Sequence, residues 1–368
     1  MSSFSVRLDS TVSEVIACID RSAKSSIALV VDDDQRLLNT LSDGDVRRGL
    51  LAGLSLSSTV HELLLRKADT PHPVAVTAPA DTDRATLLQI MQQQRIRQIP
   101  LLDADRRVVD VVILADLLPQ VLRPLQAPLQ AMVMAGGKGI RLRPLTDEMP
   151  KPMLPVGGRP LMEHIVQQLR DTGVTRIDIA THYQPEKIRE HFGDGGAFGV
   201  HINYVQEESP LGTGGALGLL ERPVDPILVI NGDILTEVDF RTMFLYHQDQ
   251  GADLTVAVRR YEMQVPYGVI DCEGSKVRSL REKPDFTFFV NAGIYLLEPT
   301  VFDFIPVNQH LNMTDLISAL LAAGRPVNSF PICEYWLDIG QHEDYRQAQE
   351  DALRRDQQPK SGKLTVCQ

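Results

Sequence analysis

Two hydrophobic rhythms divide the chain. In the first 120 residues an amphipathic helical pattern at 11–22 leads into the apolar run Ile27-Ala-Leu-Val-Val. The acidic turn Asp32 to Asp34, a second apolar run and an Asp-started helical stretch follow. The same succession then returns, with a helical pattern at 82–94, the run Gln98-Ile-Pro-Leu-Leu, the turn Asp103 to Asp105, a strand and another Asp-started stretch. Residues 27–32 fall on 98–103, and Asp45 falls on Asp116, at a common offset of 71. Such self-similarity predicts two copies of one α+β unit, about 1–65 and 66–120, built around a shared core.

From residue 129 the rhythm becomes a strand-helix alternation, the pattern of an α/β layer fold. Apolar β-rich runs at 177–180, 202–205, 227–230, 254–258 and 293–297 predict strands, and 3.6-residue periodicity predicts helices at 161–171, 185–191, 213–220, 240–250 and 314–323. Pro119, Pro124 and Pro128 separate the two regions, and three prolines so close together suit a semi-rigid connection. The expected organisation is a repeat pair at 1–120, a linker at 121–128, an α/β domain at 129–355 and a flexible tail at 356–368.

Composition narrows this picture modestly. At 368 residues two domains are the natural expectation, and 43% hydrophobic with 23% charged residues describes an ordinary globular protein. The net charge of −11 argues against general nucleic-acid binding, which needs a basic face, but leaves room for a local anion pocket. Cys18, Cys272, Cys333 and Cys367 form no C-x-x-C pair, so neither a zinc site nor a disulfide framework is indicated. No signal-peptide core and no apolar run near the ~20 residues of a membrane helix occurs, and a cytoplasmic protein without membrane attachment is expected.

The chemistry concentrates in Ala131-Met-Val-Met-Ala-Gly-Gly-Lys-Gly-Ile-Arg-Leu-Arg-Pro-Leu-Thr146, followed by Pro150-Lys151-Pro152. A strand over 132–135 opens into Gly136, Gly137 and Gly139 within four residues, and Lys138, Arg141, Arg143 and Lys151 follow. Glycines admit an anion to the backbone N–H groups, and the cations offset its charge, so the stretch is built for a polyphosphate. A P-loop would need Ser or Thr after its Lys, and a dinucleotide fingerprint would need Gly where Leu142 stands. Three further stretches carry candidates. Glu207-Glu-Ser-Pro-Leu-Gly-Thr-Gly-Gly215 opens a helical pattern with four small residues whose amides are expected to be free for a flat ligand. Asp233 closes an apolar strand, where a hard divalent cation would be held. Asp338 follows the only Trp and reads equally as a cap of the helix predicted at 341–353.

These motifs, in this order, resemble the sugar-phosphate nucleotidyltransferase family, whose signature G-G-x-G-T-R-L-x-P-L-T…P-K-P is matched except at Ile140, where Thr is usual. The resemblance implies a Rossmann-like mixed sheet and a reaction in which an NTP and a sugar 1-phosphate give an NDP-sugar and pyrophosphate, with Mg2+ as cofactor. Carried onto this chain, it places Arg141, Lys151 and Asp233 in catalysis and Ala135, Gly136, Gly137, Lys138, Gly139, Glu207, Leu211, Gly212, Thr213 and Gly214 on the NTP. Gly268, which the pattern sets inside a strand, would lie on the sugar phosphate with Glu282, Lys283 and Asn291. Asp233 and Asp338 would hold the metal. Without the family, Glu282 and Lys283 would read as a solvated charged pair.

The repeat resembles a CBS domain pair, which implies a homodimer or higher oligomer and an adenine nucleotide held through Asp45 and Asp116. Either Asp alternatively reads as a plain helix N-cap. The fusion is similar to CBS-linked members of bacterial surface-polysaccharide pathways such as legionaminic acid synthesis, which implies GTP and glucosamine 1-phosphate as substrates. Mannose- or heptose-1-phosphate guanylyl transfer, and uridylyl or thymidylyl transfer, are the alternatives within the family. A non-enzymatic nucleotide sensor with a decayed transferase domain is the alternative outside it.

Overall fold

A computed structural model describes residues 5–22, 26–68, 70, 72–94, 96–117 and 129–357. They belong to two compact units, one holding the described residues up to 117 and the other those from 129 onward. The expected linker at 121–128 and most of the expected tail lie outside the described residues.

The N-terminal unit repeats one succession of strand, helix, two strands and helix, and the first copy adds a further helix. The first copy contains β1 (Ser5–Val6), α1 (Val12–Arg21), β2 (Ile27–Val31), β3 (Leu37–Ser42), α2 (Asp43–Leu51) and α3 (Val60–Lys67). The second contains β4 (Ala78–Pro79), α4 (Arg84–Gln94), β5 (Gln98–Leu102), β6 (Val108–Ile113) and α5 (Leu114–Leu117). Each copy folds a three-stranded sheet, β1-β2-β3 and β4-β5-β6, with a parallel first pair and an antiparallel second. The likeness extends to the backbone. A register shift falls between Val30 and Val31 in one copy and between Leu101 and Leu102 in the other, and Gln35 and Arg106 take positive φ values of 62° and 64°. In each turn an Asp side chain, Asp32 or Asp103, accepts the amide of the residue four positions on at 2.8 Å.

The C-terminal unit comprises β7 (Gln130–Met134), β8 (Pro155–Val156), β9 (Arg159–Pro160), α6 (Leu161–Thr172), β10 (Arg176–Thr181), α7 (Pro185–Phe192), β11 (His201–Gln206), β12 (Ile227–Asn231), β13 (Ile234–Thr236), α8 (Phe240–Gln250), β14 (Leu254–Gln264), β15 (Val269–Glu273), β16 (Lys276–Arg281), β17 (Asp285–Leu297), α9 (Met313–Ala322), β18 (Val327–Ile332), β19 (Trp336–Asp338) and α10 (His342–Gln357). Its main sheet runs β11-β10-β7-β12-β17-β14-β18, with β17 antiparallel to both of its neighbours. The central parallel strands β7, β10 and β12 are buried on both faces, which is why they read as continuous apolar runs, whereas the edge strand β11 alternates buried and exposed positions. Met162, Ile165, Val166 and Leu169 of α6 pack on one face with Val133, Ile179 and Ile230, while Leu316 and Leu320 of α9 cover the other with Met132 and Val229. Helix α6 stops at Gly173, whose φ of 98° suits only a residue without a Cβ.

Three expectations change. The stretch at 213–220 forms a 3₁₀ turn, Gly215–Leu219, because its glycines resist regular helix. Gly268 precedes β15 instead of lying within a strand, and α10 continues to Gln357, past the expected domain end at 355.

Candidate active site

The loops that leave the carboxyl ends of β7, β10, β11 and β12 are fastened together just beyond the sheet. Gly232 N–H donates to the Met134 carbonyl at 2.8 Å, Ala135 N–H to Ala180 at 3.0 Å, and Glu207 N–H to Thr181 at 2.9 Å. Sheet register thus fixes where the phosphate-type loop, Glu207 and Asp233 meet. A cavity of ≈ 260 Å³ opens there, its wall including Ala135, Gly136, Gly137, Lys151, Glu207, Gly212, Thr213, Asn231 and Asp233.

The three glycines of the first loop serve different purposes. A Cβ on Gly136 would stand 2.5 Å from Glu207 Oε1, so this glycine makes room for a carboxylate. Gly139, at φ 61°, folds the loop back over Lys151 and Thr146, and Thr146 Oγ1 donates to its carbonyl at 2.8 Å. Around Gly137 nothing lies within 4 Å of a Cβ position, so protein packing gives no reason for glycine there and leaves its backbone open to approach from the cavity. Lys138 and Arg141 are exposed, are not part of the cavity wall, and make no ion pair among the described residues. Ile140 is 63% exposed, with only Leu142 of its 3₁₀ turn buried.

Lys151 is buried on the cavity floor, where its Nζ donates to Asp233 Oδ2 at 2.5 Å and lies 3.9 Å from Asp338 Oδ1. Asp338 pairs across from Ile234 in the β13–β19 ribbon, and the Trp336 indole anchors that ribbon by donating to the Ala292 carbonyl at 2.9 Å. The cap reading of Asp338 is therefore corrected. The amides of Gly340 and Gln341 ahead of α10 are taken by Asp344, which leaves Asp338 free to face Lys151. Partial burial, together with the nearby Asp233 carboxylate, pushes the Asp338 carboxyl above its usual range, against the pull of Lys151 and Arg141. Asp233 Oδ1 is buried with no hydrogen-bond partner. Two carboxylates, one with an orphaned oxygen, form a donor set that suits a hard divalent cation.

The second glycine-rich loop departs from expectation. The amides of Gly214 and Gly215 both donate to the Leu311 carbonyl, at 2.9 and 3.0 Å, and Thr213 Oγ1 accepts from Met313 N–H at 2.9 Å. Cβ atoms on Gly212 or Gly215 would meet backbone oxygens of the 309–311 segment at 2.7 and 2.5 Å. These small residues let a strap from 306 to 313 lie against the loop, so the Gly214 and Gly215 amides are not free for a ligand. Gly212 and Thr213 still face the cavity, while Leu211 is buried behind them and Gly214 is not part of the wall. Glu207 is 6% exposed and accepts the Leu211 amide at 2.8 Å through Oε2, and burial pushes its carboxyl upward despite that bond.

The predicted sugar contacts lie elsewhere. Gly268, Glu282 and Lys283 sit at the base of the exposed β15–β16 hairpin and Asn291 on β17, and none of them borders the cavity. Asn291 Oδ1 is used internally, accepting the Gly293 amide at 3.0 Å. Asn231, which the sequence reading passed over, does border the cavity. Its signal was the polar residue ending an otherwise apolar strand.

In the N-terminal unit Ser42, not Asp45, is the N-cap of α2. Asp45 completes the capping box, accepting from the Ser42 N–H and hydroxyl at 2.9 and 2.8 Å. It is 7% exposed and also pairs with Arg48 at 2.7 Å and Lys67 at 3.4 Å. Burial pushes its carboxyl up, but Lys67, the Ser42 amide and Arg48 outweigh that, and it sits below the usual range. The Asp116 side chain lies outside the described residues. A second cavity of ≈ 460 Å³, lined by 77–81 and 102–104, does not include Asp45.

The Nucleotidyl transferase family model matches residues 130–355, and the CBS domain model matches 1–52 and 68–123. The chain is 36% identical over 231 residues to a mannose-1-phosphate guanylyltransferase of Mycobacterium tuberculosis, covering 61% of this chain and 64% of that protein. Against a UTP–glucose-1-phosphate uridylyltransferase of Synechocystis it is 33% identical over 249 residues, covering 62% and 64%. Just under two thirds of these relatives' length is thus spanned. A Bacillus anthracis protein provisionally described as a glucose-1-phosphate thymidylyltransferase, solved with sucrose, superposes at a TM-score of 0.50 and 28% identity over 61% of this chain and 95% of that one. No helix among the described residues is long and apolar enough to cross a membrane. With its matched segment covering more than half of the sequence, the chain belongs to the nucleotidyl transferase family, and CBS-domain matches precede the transferase domain.

Proposed function

We propose that the protein is a sugar-1-phosphate nucleotidyltransferase that uses GTP. One observation carries the reaction class: a single cavity gathers the open Gly137 approach, Lys151, Asp233 and the Gly212–Thr213 wall, the parts needed to hold a triphosphate by its phosphates and its base. The sugar phosphate oxygen is already an anion and needs no general base. It attacks the α-phosphorus, the bond from that phosphorus to the bridging oxygen of the β-phosphate breaks, and pyrophosphate departs with the electron pair. What must be overcome is repulsion between two anions, and this falls to Lys151, Arg141 and Lys138 with the loop amides, which position the phosphates and stabilise charge as it develops. Asp233 and Asp338 would hold Mg2+, which when bound supplies further charge neutralisation at the phosphates.

The preference for GTP is supported by Glu207. Ionised, it is purely an acceptor. Guanine presents two adjacent donors, N1–H and the N2 amino group, whereas uracil and thymine present one donor between two carbonyl oxygens that a carboxylate repels. The guanylyltransferase among the relatives points the same way. Glucosamine 1-phosphate is the acceptor we favour from the resemblance to CBS-linked family members, with mannose 1-phosphate and glucose 1-phosphate as the competing acceptors that the relatives' names supply.

The test is pyrophosphate release from each NTP with Mg2+ and each of those three sugar 1-phosphates, in wild type and Glu207→Gln. Wild type is expected to favour GTP, and Glu207→Gln to lose about tenfold or more of kcat/KM for GTP, the worth of roughly 1.4 kcal/mol. UTP or dTTP as the preferred donor of the wild type would defeat the guanine reading, and silence with every pair would defeat the transferase reading.

A further inference from the structure

Two buried side-chain oxygens at the end of β12 have no hydrogen-bond partner, Asp233 Oδ1 and Asn231 Oδ1, and both residues border the same cavity. An unpaired buried acceptor costs about 1–3 kcal/mol. These two are set apart from other buried polar atoms without a hydrogen-bond partner among the described residues, such as Arg48 Nε, Thr181 Oγ1 and Gln184 Oε1, because their residues border a cavity in which a ligand could supply the missing donor. Asp233 belongs to the proposed cation site. Asn231 has no task in the reaction as described above.

The fold holds Asn231 firmly. Its backbone pairs with Met134 at the last rung of the β7–β12 ladder. Its side-chain Nδ2 lies against Gly293 of β17, where a Cβ would stand 2.7 Å away. Gly293 is glycine on two counts, this contact and a φ of 70°, and Asn291 Oδ1 secures its amide. The Asn291-Ala292-Gly293 segment therefore backs the Asn231 carboxamide, and with the nitrogen end against β17 the oxygen end is left for the cavity.

We infer that Asn231 Oδ1 accepts a hydrogen bond from a substrate hydroxyl, an inference that rests on the transferase reading for the identity of its substrates. Those substrates carry few kinds of donor. Their phosphates are acceptors at neutral pH, the donors of guanine are matched by Glu207, and a hard cation is better served by the carboxylates of Asp233 and Asp338 than by a neutral amide. The C2 ammonium of a glucosamine 1-phosphate is likewise better matched by a carboxylate than by a neutral amide, so hydroxyls remain, either of the ribose of the nucleotide or of the sugar 1-phosphate.

Deleting the hydroxyl on one side and the amide on the other distinguishes the two sources. Wild type and Asn231→Ala are compared with GTP, 2′-deoxyGTP and 3′-deoxyGTP, and with singly deoxygenated sugar 1-phosphates, by kcat/KM and by calorimetric binding of each substrate alone. In wild type one deoxy analogue should be weaker by about 5- to 10-fold, as expected for a neutral hydrogen bond of roughly 1–1.5 kcal/mol. In Asn231→Ala that analogue and its parent should bind alike. A nucleotide analogue behaving so assigns the ribose, and a sugar analogue assigns the sugar.

Unchanged binding in Asn231→Ala, or an equal loss with every analogue and its parent, would overturn the inference, the latter marking a purely structural residue. If Asn231→Ala melts early, Asn231→Ser carries the same comparison. The binding arm needs no turnover, so an inactive wild type would defeat the transferase reading while this inference is still judged on its own data.

Discussion

Gly137 and Gly212 border one cavity, and the same substitution should do opposite things to them. At Gly137 a Cβ meets nothing within 4 Å, so Gly137→Ala should leave the melting temperature unchanged or raise it slightly, an alanine being worth about 0.4–1 kcal/mol through the unfolded chain where the backbone accepts it. The added methyl stands where a phosphate should approach. Overpacking of about 1–3 kcal/mol there weakens the nucleotide roughly 5- to 150-fold. At Gly212 a Cβ would lie 2.7 Å from the Leu311 carbonyl and 2.8 Å from Asn312 Oδ1, on a backbone at φ 79°. Left-handed strain of about 1–2 kcal/mol combines with overpacking of similar or larger size. A loss of roughly 2–5 kcal/mol in a unit of this length lowers the melting temperature by about 4–20 °C. Differential scanning fluorimetry and the GTP dependence of pyrophosphate release measure both effects. A Gly137→Ala protein that melts early, or one with an unchanged KM for GTP, would refute the assignment of Gly137 to the ligand.

Other substitutions probe separate parts of the molecule. Asp233→Asn should remove at least about a hundredfold of turnover while circular dichroism stays native, because the variant keeps the side chain's shape and loses the charge that pairs with Lys151. Ile140→Thr should leave stability within about 0.5 kcal/mol, since the side chain is 63% exposed, and should raise kcat/KM by no more than about tenfold if the new hydroxyl reaches a phosphate. The Glu207 carboxyl is held above its usual range by burial, so the KM for GTP should climb as the pH falls through that raised value, and Glu207→Gln should flatten the rise. Asp45→Asn should destabilise the N-terminal unit by about 1–3 kcal/mol at neutral pH. Its folded carboxyl lies below the unfolded value, so its contribution is complete above the ordinary carboxylate range and vanishes as the pH drops through the folded value. Wild-type and variant melting temperatures should converge there.

What the sequence disclosed, and what it hid, follows from how local each signal is. The strands buried on both faces announced themselves as apolar runs, and the repeat was legible because each copy must solve the same turn, down to the positive φ of Gln35 and Arg106. The extension of β14 and strand β16 have no counterpart in the sequence pattern, and β15 is legible only as a strand around Gly268: exposed on both sides, these segments carry no clean alternation, and Tyr261, Ile270, Val277 and Leu280 all face solvent. The site motifs were visible as types of residue but not as partners. The spacing of Gly212 to Gly215 could not reveal that residues 306–313 press against them, a contact made across about a hundred positions of sequence. For Asp45 the sequence left a nucleotide contact and a helix cap open together, and the structure adds that its oxygens engage Ser42, Arg48 and Lys67 within the protein. Asn231 was overlooked because a lone amide at a strand end is unremarkable until its oxygen is found without a partner.

The most direct measurement follows the α-phosphorus. Protein, Mg2+, GTP labelled with ³²P at the α position and glucosamine 1-phosphate or mannose 1-phosphate are incubated together, and the products are separated. The expected result is label in a GDP-sugar with an equal amount of pyrophosphate, dependent on the sugar 1-phosphate and absent in Asp233→Asn. Label recovered as GMP or GDP, or left in GTP with every sugar 1-phosphate, would contradict the proposed reaction.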